Sequence, residues 1–482
     1  MRNSAMAGSM RRSGRRLSRH CWTSGCSDRI FVRKIMTTEF DVVIIGTGAA
    51  GRTVAFECAD AGRSVAVADE RPIGGTCPLR GCDAKKVLAG AAEIVARAQG
   101  LEGRGIADVP AIDWSDLIAF KRTFTEPRPE QMEQAMIEAG VRIFRGHARF
   151  TGPTTLRIGE EEVRGTKIVI ASGAHPRPLG IPGEEYLTTS EQFLSAETLP
   201  QRITCVGGGF ISFEFAHIAA RAGAEVTILN RSDRLLRPFD GDLVDMLAEA
   251  SRKAGIRIVM NTPVKEIRTA GDELVVIGGE NGAEEYVTDM ALHGAGRVSA
   301  VEGLDVEAAG ITVSRGRIDV NEYLQSTTNP DVYVAGDANF TSPQLTPVAT
   351  ADGETVASNL LNGTSTRPDY SLFPGVLFTY PPLAMVGMTE EEARSQNLRY
   401  VRHFEDTSSW YASRRVGLST SGYKLLVDED DHLLGAHILG YGAEEQINLF
   451  ALAMNAHLPV EVFKATEWVY PTGGWDIRNM FL

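Results

Sequence analysis

Two cysteines near the start of the chain have the spacing of a redox-active pair. Cys77 and Cys82 are separated by four residues inside the glycine-rich run Gly74–Asp83. A structural zinc site would need a second pair of ligands, and neither further cysteines nor clustered histidines lie nearby in the sequence. A catalytic pair of thiols instead needs an electron carrier beside it. The spacing therefore predicts thiol–disulfide chemistry with a redox cofactor close by, and no metal.

Charged residues close to these cysteines could tune their reactivity. Lys85 and Lys86 follow Cys82 on a predicted helix, and a nearby ammonium group lowers the pKa of a thiol. The same lysines could pair with a carboxylate beside the cofactor, and Glu214 is the candidate partner. A solvated helix face is the alternative interpretation for both lysines.

A glycine-rich turn before the cysteines indicates the cofactor. Phe40–Ile45 has the pattern of a buried parallel strand, and a GxGxxG turn follows it and opens a helix. The glycines let backbone N–H groups approach a pyrophosphate at the helix N-terminus. Asp69 ends the next strand and can accept hydrogen bonds from a ribose; a tight turn without a ligand is the alternative. The candidate cofactor-binding residues of this turn are Gly46, Gly48, Ala49, Ala50, Gly51 and Asp69.

A second glycine-rich turn follows the strand Ile203–Val206. Where an NAD site would carry an acid, this chain has Asn230 followed by Arg231, Arg234 and Arg237. Guanidinium groups pair with a 2′-phosphate, which a carboxylate would repel, so the sequence favours NADP over NAD. A solvated basic loop is the alternative. The candidate residues of this second site are Gly207, Gly209, Phe210, Ile211, Arg231 and Arg237.

Composition narrows the class of protein. The 482 residues are enough for roughly three domains, and a net charge of −13 makes nucleic acid or an anionic membrane an unsuitable partner. No apolar run reaches the roughly 18 residues that span a bilayer. Cys58 and Cys205 lie in apolar stretches and are expected to be buried.

The first 35 residues differ from the rest, because they are rich in Arg and Ser and have no acid before Asp28. They are interpreted as an over-extended start upstream of Met36, which predicts a cytoplasmic protein; an organellar transit peptide is the alternative. Further along, Val163–Ala174 and Asp331–Asp337 are predicted as strands. After Pro368 short alternating strands and one helical stretch suggest a separate α+β domain.

Together these motifs resemble those of the flavoprotein pyridine nucleotide–disulfide oxidoreductases, a family that includes glutathione reductase, dihydrolipoamide dehydrogenase and mercuric reductase. The resemblance covers Met36–Leu482 and rests on both glycine-rich turns, the cysteine run, Gly296–Arg297 and Val334–Asp337. It implies an α/β fold with two Rossmann-like dinucleotide-binding domains, for FAD and NAD(P), and a C-terminal α+β dimerisation domain. The implied bounds are 1–35 for the leader, 36–177 and 293–366 for the two parts of the FAD-binding domain, 178–292 for the NAD(P)-binding domain and 367–482 for the dimerisation domain.

The resemblance also implies roles for particular residues. NADPH would reduce the flavin, the flavin would reduce the disulfide through Cys82, and Cys77 would attack a small-molecule acceptor. Asp337 would bind the ribityl chain of FAD, and the protein would be a homodimer. The other implied cofactor-binding residues are Gly75, Thr76, Lys86, Ser172, Gly173, Gly296, Arg297, Gly336, Leu345, Thr346 and Pro347.

The chain departs from the family pattern on the acceptor side. Tyr470 and Trp475 stand where the family has a proton-handling His and the Glu that orients it, and a phenol is a weak base at neutral pH. Asp476 or His457 could take over, or the acceptor needs no such help. The arginines that hold glutathione carboxylates align with Phe56 and Glu354, which argues against glutathione. The absence of a cysteine after Cys205 argues against mercuric reductase activity.

Three functions follow in order of preference. The first is an NADPH-dependent FAD enzyme that reduces a small disulfide or related electrophile through Cys77 and Cys82. The second is a flavin oxidoreductase that reduces a quinone or O₂ without His-assisted thiol exchange. The third is a redox sensor with slow turnover.

Overall fold

The computed structural model describes residues 37–481, so the predicted leader lies outside the described residues. The elements up to residue 176 are β1 Thr38–Ile45, α1 Ala49–Asp60, β2 Val65–Asp69, α2 Thr76–Arg80, α3 Cys82–Leu101, α4 Trp114–Thr125, α5 Arg128–Glu138, β3 Arg142–Arg145, β4 Ala148–Phe150, β5 Thr155–Ile158, β6 Glu161–Ile170 and β7 Ala174–Pro176. Those up to residue 293 are β8 Leu187–Thr188, α6 Ser190–Leu194, β9 Arg202–Val206, α7 Phe210–Arg221, β10 Glu225–Leu229, α8 Gly241–Lys253, β11 Arg257–Val259, β12 Glu266–Ala270, β13 Glu273–Gly278, β14 Glu284–Thr288 and β15 Met290–His293. The remaining elements are β16 Arg297–Ser299, β17 Val313–Ser314, β18 Arg317–Ile318, β19 Val332–Val334, α9 Thr346–Asn362, β20 Gly375–Leu377, β21 Leu383–Gly387, α10 Glu390–Ser395, β22 Val401–Asp406, α11 Tyr411–Arg415, β23 Gly422–Val427, β24 Leu433–Leu439, α12 Ala443–Asn455, α13 Val460–Ala465 and α14 Gly473–Ile477.

The first sheet carries the first glycine-rich turn. Its order is β3-β2-β1-β6-β5-β4, and β19 pairs with the C-terminal end of β6. The last four residues of β1, Val42–Ile45, are all buried, as expected for an inner parallel strand covered on both faces. The strand ends at Ile45, and Gly46 follows it at the carboxyl end of an inner strand of the sheet. At this place the N-terminus of a helix can face a ligand.

The second sheet carries the second glycine-rich turn. It is parallel throughout, in the order β11-β10-β9-β15-β8. A small antiparallel sheet, β12-β13-β14, is inserted in the chain between β11 and β15 of this sheet. The predicted βαβ unit is confirmed, because β9, α7 and β10 lie where the apolar strands and the intervening helix were expected.

The C-terminal part is an α+β domain, as predicted. Its five strands are antiparallel in the order β20-β21-β24-β23-β22. Helix α12 contributes Ile447 and Phe450 to the core formed with this sheet. The antiparallel pairing agrees with the alternating sequence pattern that distinguished this region from the parallel sheets.

Two predicted strands are shorter in the structure than the sequence suggested. Strand β6 ends at Ile170 and the chain turns at Gly173, whose φ is 79°. Strand β19 ends at Val334, and Gly336, with φ 66°, begins a 3₁₀ turn. Both predictions were too long because a glycine with positive φ interrupts the apolar pattern at each turn.

No helix among residues 37–481 is both long enough and apolar enough to cross a membrane.

Candidate active site

The two predicted redox cysteines lie on consecutive helices. Cys77 lies in α2, and Cys82 is the first residue of α3. The two thiols act on each other: Cys82 raises the pKa of Cys77, and Cys77 lowers the pKa of Cys82 to about 6. Burial opposes the shift at Cys82, while Thr346, Lys85 and Lys86 reinforce it. The pair therefore holds one proton on Cys77 and a thiolate on Cys82 at neutral pH.

Cys82 also faces the N-terminus of α9. Its Sγ lies 3.6 Å from the Oγ1 of Thr346, the first residue of this 17-residue helix. Pro347 follows Thr346 and has no N–H that would need a partner, which suits it to the first turn. The positive end of the helix and the hydroxyl thus face the thiolate; that Leu345, Thr346 and Pro347 contact the flavin stays a prediction.

The predicted pairing of the lysines with Glu214 is present. Lys85 Nζ donates to Glu214 Oε2, and Lys86 Nζ lies 3.2 Å from Glu214 Oε1. Glu214 is 2% exposed; burial by itself raises the pKa of this carboxyl, but the two lysines outweigh it and the pKa is lowered. Burial lowers the pKa of Lys86 to about 8, with Glu214 opposing the shift. The site is therefore a buried carboxylate with two partly buried ammonium groups, on lysines that follow Cys82 in α3.

The same cluster includes a residue that the sequence did not indicate. The backbone N–H of Phe378 donates to Glu214 Oε1 at 2.9 Å, and Lys86 Nζ lies 3.5 Å from the centre of the Phe378 ring. Phe378 directly follows β20 and is 164 residues from Glu214 in the chain. No local sequence pattern connects two residues so far apart.

The first glycine-rich turn is closely packed against the cysteine run. A side chain at Gly46 would place its Cβ 2.3 Å from the carbonyl oxygen of Ala171, and one at Gly75 would lie 2.5 Å from the Cα of Gly48. Ser172 Oγ is buried and has no hydrogen-bond partner within residues 37–481. Close backbone approach and an unpaired buried hydroxyl suit a turn that holds a dinucleotide pyrophosphate. The structure brings together at this turn the predicted residues Gly46, Gly48, Ala49, Ala50, Gly51, Gly75, Thr76, Ser172 and Gly173.

A cavity of about 460 Å³ opens beside Asp69, within the usual size range of a small-molecule site. Asp69 Oδ2 accepts hydrogen bonds from the backbone N–H and the hydroxyl of Thr47, at 2.9 and 2.5 Å. Glu70 and Arg145 also line this cavity and were not singled out from the sequence. Arg145 ends β3, the strand next to β2, so only the sheet order places it here.

The predicted ribityl-binding turn is buried. Burial raises the pKa of Asp337, and Arg297 partly opposes this shift. Arg297 also donates to the carbonyl oxygen of Ala174, which ties it to Ser172–Gly173. The backbone N–H of Gly336 donates to Asp352 at 3.0 Å, and Asp352 is fully buried. Asp352 thus fixes the turn that presents Asp337, a role the sequence did not reveal.

The second glycine-rich turn is formed as expected. A Cβ at Gly207 would lie 2.6 Å from the carbonyl oxygen of Gly294, and one at Gly294 would lie 1.9 Å from Ser212 Oγ. The small Ser212 therefore permits close packing in place of the third glycine. Asn230 Oδ1 accepts from the backbone N–H of Gly208 at 3.1 Å, which fixes the turn to the end of β10.

The three arginines after this strand differ in their surroundings. Arg234 pairs with Glu391 of α10. Arg231 and Arg237 are exposed, and neither is paired with a carboxylate of residues 37–481 within 4.0 Å. Of the three, the two predicted to bind a 2′-phosphate are therefore the ones whose guanidinium groups can accept an anion.

The candidate proton-handling residues near the C-terminus differ in how far they are exposed. Tyr470 is 66% exposed, and its ring packs edge-on against Trp475 with 5.1 Å between ring centres. Burial raises the pKa of Asp476 to about 6, with Arg415 opposing the shift. His457 is exposed. A catalytic role of Tyr470 stays a prediction.

Two dinucleotide-binding folds, a dithiol at their junction and a C-terminal α+β domain define a flavoprotein disulfide oxidoreductase. The family model of the pyridine nucleotide-disulphide oxidoreductases matches residues 40–353, and the model of their dimerisation domain matches residues 373–480. The chain belongs to this family, whose members are FAD-dependent enzymes with NAD(P)H as electron donor.

Individual relatives agree with this placement. A glutathione reductase of Burkholderia cepacia is 33% identical over 442 residues, which cover 90% of this chain and 96% of the relative. A mercuric reductase of Staphylococcus aureus is 30% identical over 431 residues, 88% of this chain and 78% of the relative. The solved structure of the HOCl-induced flavoprotein disulfide reductase RclA of Escherichia coli matches with a TM-score of 0.82 at 27% identity, over 92% of this chain and 99% of that chain.

Proposed function

We propose that this protein is an NADPH-dependent FAD enzyme that reduces a small disulfide, or a related electrophile, through Cys77 and Cys82. The observation that supports this best is the setting of Cys82. Its sulfur lies 3.6 Å from Thr346 at the start of α9, and the charges of Lys85 and Lys86, which share Glu214, lower its pKa further. A thiolate with a pKa of about 6 in this position is suited to electron transfer with a cofactor at the same helix end.

FAD, when bound, supplies a carrier of two electrons between the nicotinamide and the cysteine pair. The turn at Gly46–Gly51 would hold its pyrophosphate, the cavity beside Asp69 its adenosine, and Asp337 its ribityl chain. Lys86 and Thr346 would lie nearest the ring. The unpaired hydroxyl of Ser172 and the close approach of Gly75 to Gly48 support this arrangement.

The cysteine pair can perform the exchange without a histidine. As Cys77 attacks one sulfur of the acceptor disulfide, its proton passes to the neighbouring Cys82 thiolate. The first acceptor thiolate leaves and takes that proton from Cys82, because ordinary thiols have the higher pKa. Cys82 then attacks Cys77, which releases the second thiolate and forms the internal disulfide. NADPH supplies the two electrons that restore the dithiol.

Arg231 and Arg237 are proposed to select NADPH over NADH. Replacing both with Ala should weaken NADPH by about 10- to 100-fold, since each loses a charge-assisted contact, and should leave NADH nearly unchanged. Arg234→Ala is the matched control, because this arginine is paired with Glu391. Equal losses for both coenzymes, measured as KM in steady state, would contradict the assignment.

A homodimer is part of the proposal. The match to the dimerisation domain supports it, and so do the exposed apolar side chains near the C-terminus, Leu452, Val462 and Val469. The mass of the purified protein from light scattering should be twice that of one chain; a monomer at micromolar concentration would refute this part.

The second candidate is reduction of a quinone or O₂ directly at the flavin. The exposed Tyr470 and its neighbour Trp475, which replace the proton-handling pair of the family, favour it. Anaerobic titration with NADPH separates the candidates. A long-wavelength band from thiolate–flavin contact after two electrons supports the first. Bleaching of the flavin without such a band supports the second, and slow turnover with every small acceptor would indicate a redox sensor.

A further inference from the structure

A half-buried arginine on α1 contacts the methionine that packs on the start of the cysteine run. Arg52 is the one basic residue of α1, and its backbone N–H donates to Gly48 at 3.0 Å in the first turn. Its Nη1 lies 3.1 Å from the sulfur of Met132 on α5. The same sulfur packs on Gly74, where a Cβ would lie 2.6 Å away. The Arg52 side chain thus reaches from α1 to Met132 of α5, which packs on the start of the cysteine run.

The charges around Arg52 leave it without a direct counter-ion. Its ionisable neighbours are Cys77, Arg128 and Asp83; burial and Arg128 lower its pKa, while Cys77 and Asp83 raise it. Neither Arg52 nor the exposed Arg128 pairs with a carboxylate of residues 37–481 within 4.0 Å. Asp83 Oδ1 instead lies 4.0 Å from Cys77 Sγ.

This arrangement differs from that of the other buried cations of the site. Lys85 and Lys86 share the buried Glu214, whereas Arg52 contacts a methionine sulfur, and the charge of Arg128 acts on it unfavourably. A partly buried guanidinium without a paired carboxylate attracts an anion, because its desolvation is otherwise uncompensated. The attraction would act on any anionic group brought up to Cys77.

We propose that Arg52, with Arg128 beside it, selects acceptors that carry a carboxylate next to the reacting sulfur, so that the acceptor class is small anionic disulfides. Asp83 limits this preference because it places a negative charge near the same thiol. The inference rests on the proposed thiol–disulfide function, and it is tested by a reaction that does not require turnover.

Alkylation of Cys77 in the reduced holoprotein provides this test. Iodoacetate and iodoacetamide both form a C–S bond with Cys77 in the minor form of the pair whose proton lies on Cys82, and both release iodide, but only iodoacetate is an anion. The thiolate fraction cancels in the ratio of their rate constants, so the ratio reports the local charge alone. Peptide mass mapping identifies the alkylated cysteine.

Arg52→Leu should lower the iodoacetate-to-iodoacetamide ratio by about 3- to 10-fold, while Arg52→Lys should retain most of it and Asp83→Asn should raise it. Arg63→Leu is the matched control, because this exposed arginine lies just beyond the other end of α1 and should not change the ratio. In the unmodified protein, added salt should slow iodoacetate but not iodoacetamide, which gives a test that needs no variant. An unchanged ratio in Arg52→Leu, or a ratio insensitive to salt, would overturn the inference.

Turnover then separates this inference from the proposed function. With 5,5′-dithiobis(2-nitrobenzoate), which carries two carboxylates, Arg52→Leu should lose about 3- to 10-fold in kcat/KM; with the neutral bis(2-hydroxyethyl) disulfide it should lose little. If neither disulfide is reduced but the alkylation ratio falls, the proposed function fails and the anion preference stands. If both are reduced and the ratio is unchanged, only the anion preference fails.

Discussion

The two cysteines have opposite surroundings. Around Cys82 the charged groups are paired: Lys85 and Lys86 share Glu214, and the hydroxyl of Thr346 faces the sulfur. Around Cys77 they are not, since Arg52 has a methionine sulfur as its nearest polar contact. In the proposed mechanism, electrons enter the pair through this closed network of Lys85, Lys86 and Glu214, and they leave on the open side, where Arg52 has no carboxylate partner among residues 37–481.

The residues around Cys82 adjoin the family motifs, whereas residues on the acceptor side differ from those of the family by the resemblance. Lys85 and Lys86 follow the cysteine motif directly, and Glu214 lies on the helix after the second glycine-rich turn. By the resemblance described above, Tyr470, Trp475, Phe56 and Glu354 replace other family residues, all on the acceptor side. We infer that electron entry follows the family mechanism and that acceptor choice is particular to this protein.

The largest expected effect comes from removing the nucleophile on the open side. Cys77→Ser should lower disulfide reduction by at least about 10³-fold, because the attacking sulfur is lost, and should leave quinone reduction within a few-fold. Steady-state rates with both acceptors measure this. Cys58→Ala, which changes a buried thiol away from the pair, is the control. Disulfide reduction that survives in Cys77→Ser would erase the distinction between the two sides.

The next effect comes from opening the closed network. Glu214→Gln leaves two ammonium groups without a counter-charge and should cost about 3 kcal/mol of unfolding free energy, the low end for a broken buried pair because Lys86 is one-third exposed. Urea denaturation of the holoprotein, followed by circular dichroism, measures the loss. Glu391→Gln, which removes the exposed partner of Arg234, should cost about 0.5 kcal/mol or less. Equal losses of unfolding free energy in the two variants would show that Glu214 contributes no more to stability than an exposed ion-pair partner.

The pH dependence of the thiolate–flavin band is a smaller expected effect, and it reports the pKa of Cys82 directly. Its pKa of about 6 means that the thiolate is present above this pH and is protonated below it. The long-wavelength band of the two-electron-reduced protein should therefore fall about tenfold between pH 7 and pH 5. Lys86→Met should move the midpoint upward, since one cation near the thiolate is lost, whereas the exposed Lys253→Met should not. A midpoint near 8 in the unmodified protein would contradict the assignment.

The smallest effect is expected at the C-terminus. Tyr470→Phe should change kcat for a small disulfide by less than about twofold, because the cysteine pair can pass its own proton and the phenol is exposed. A loss of 10²-fold or more, with the pH profile displaced, would assign proton transfer to Tyr470. The acceptor side would then use a C-terminal proton-handling residue, as the family does.

Local patterns predicted the elements that present the site. Buried apolar strands followed by glycine turns identified β1 with α1 and β9 with α7, because backbone geometry leaves glycine as the fitting residue at Gly46 and Gly207. The partnership of Glu214 with the two lysines could also be inferred, since each lay on a helix that follows a motif. Cys58 and Cys205 are buried, as their apolar surroundings indicated.

Contacts between distant parts of the chain could not be inferred in this way. Phe378 reaches Glu214 across 164 residues, and Met132 reaches Arg52 across 80. Neither residue lies in a recognisable motif, and each arrives through the packing of a whole domain. Asp352 was missed for a related reason, because a buried carboxylate that holds a turn has no local sequence signature.

The hydrogen bond from Phe378 to Glu214 joins three parts of the molecule at one carboxylate. Lys85 belongs to α3 of the first sheet's unit, Glu214 to α7 of the second, and Phe378 to the C-terminal domain. The carboxylate that neutralises the two lysines after Cys82 is therefore also a contact shared by three parts of the fold. A substitution at Glu214 would change the charge around these lysines and remove the bond to the C-terminal domain at the same time, whereas a substitution at Arg52 leaves that bond in place.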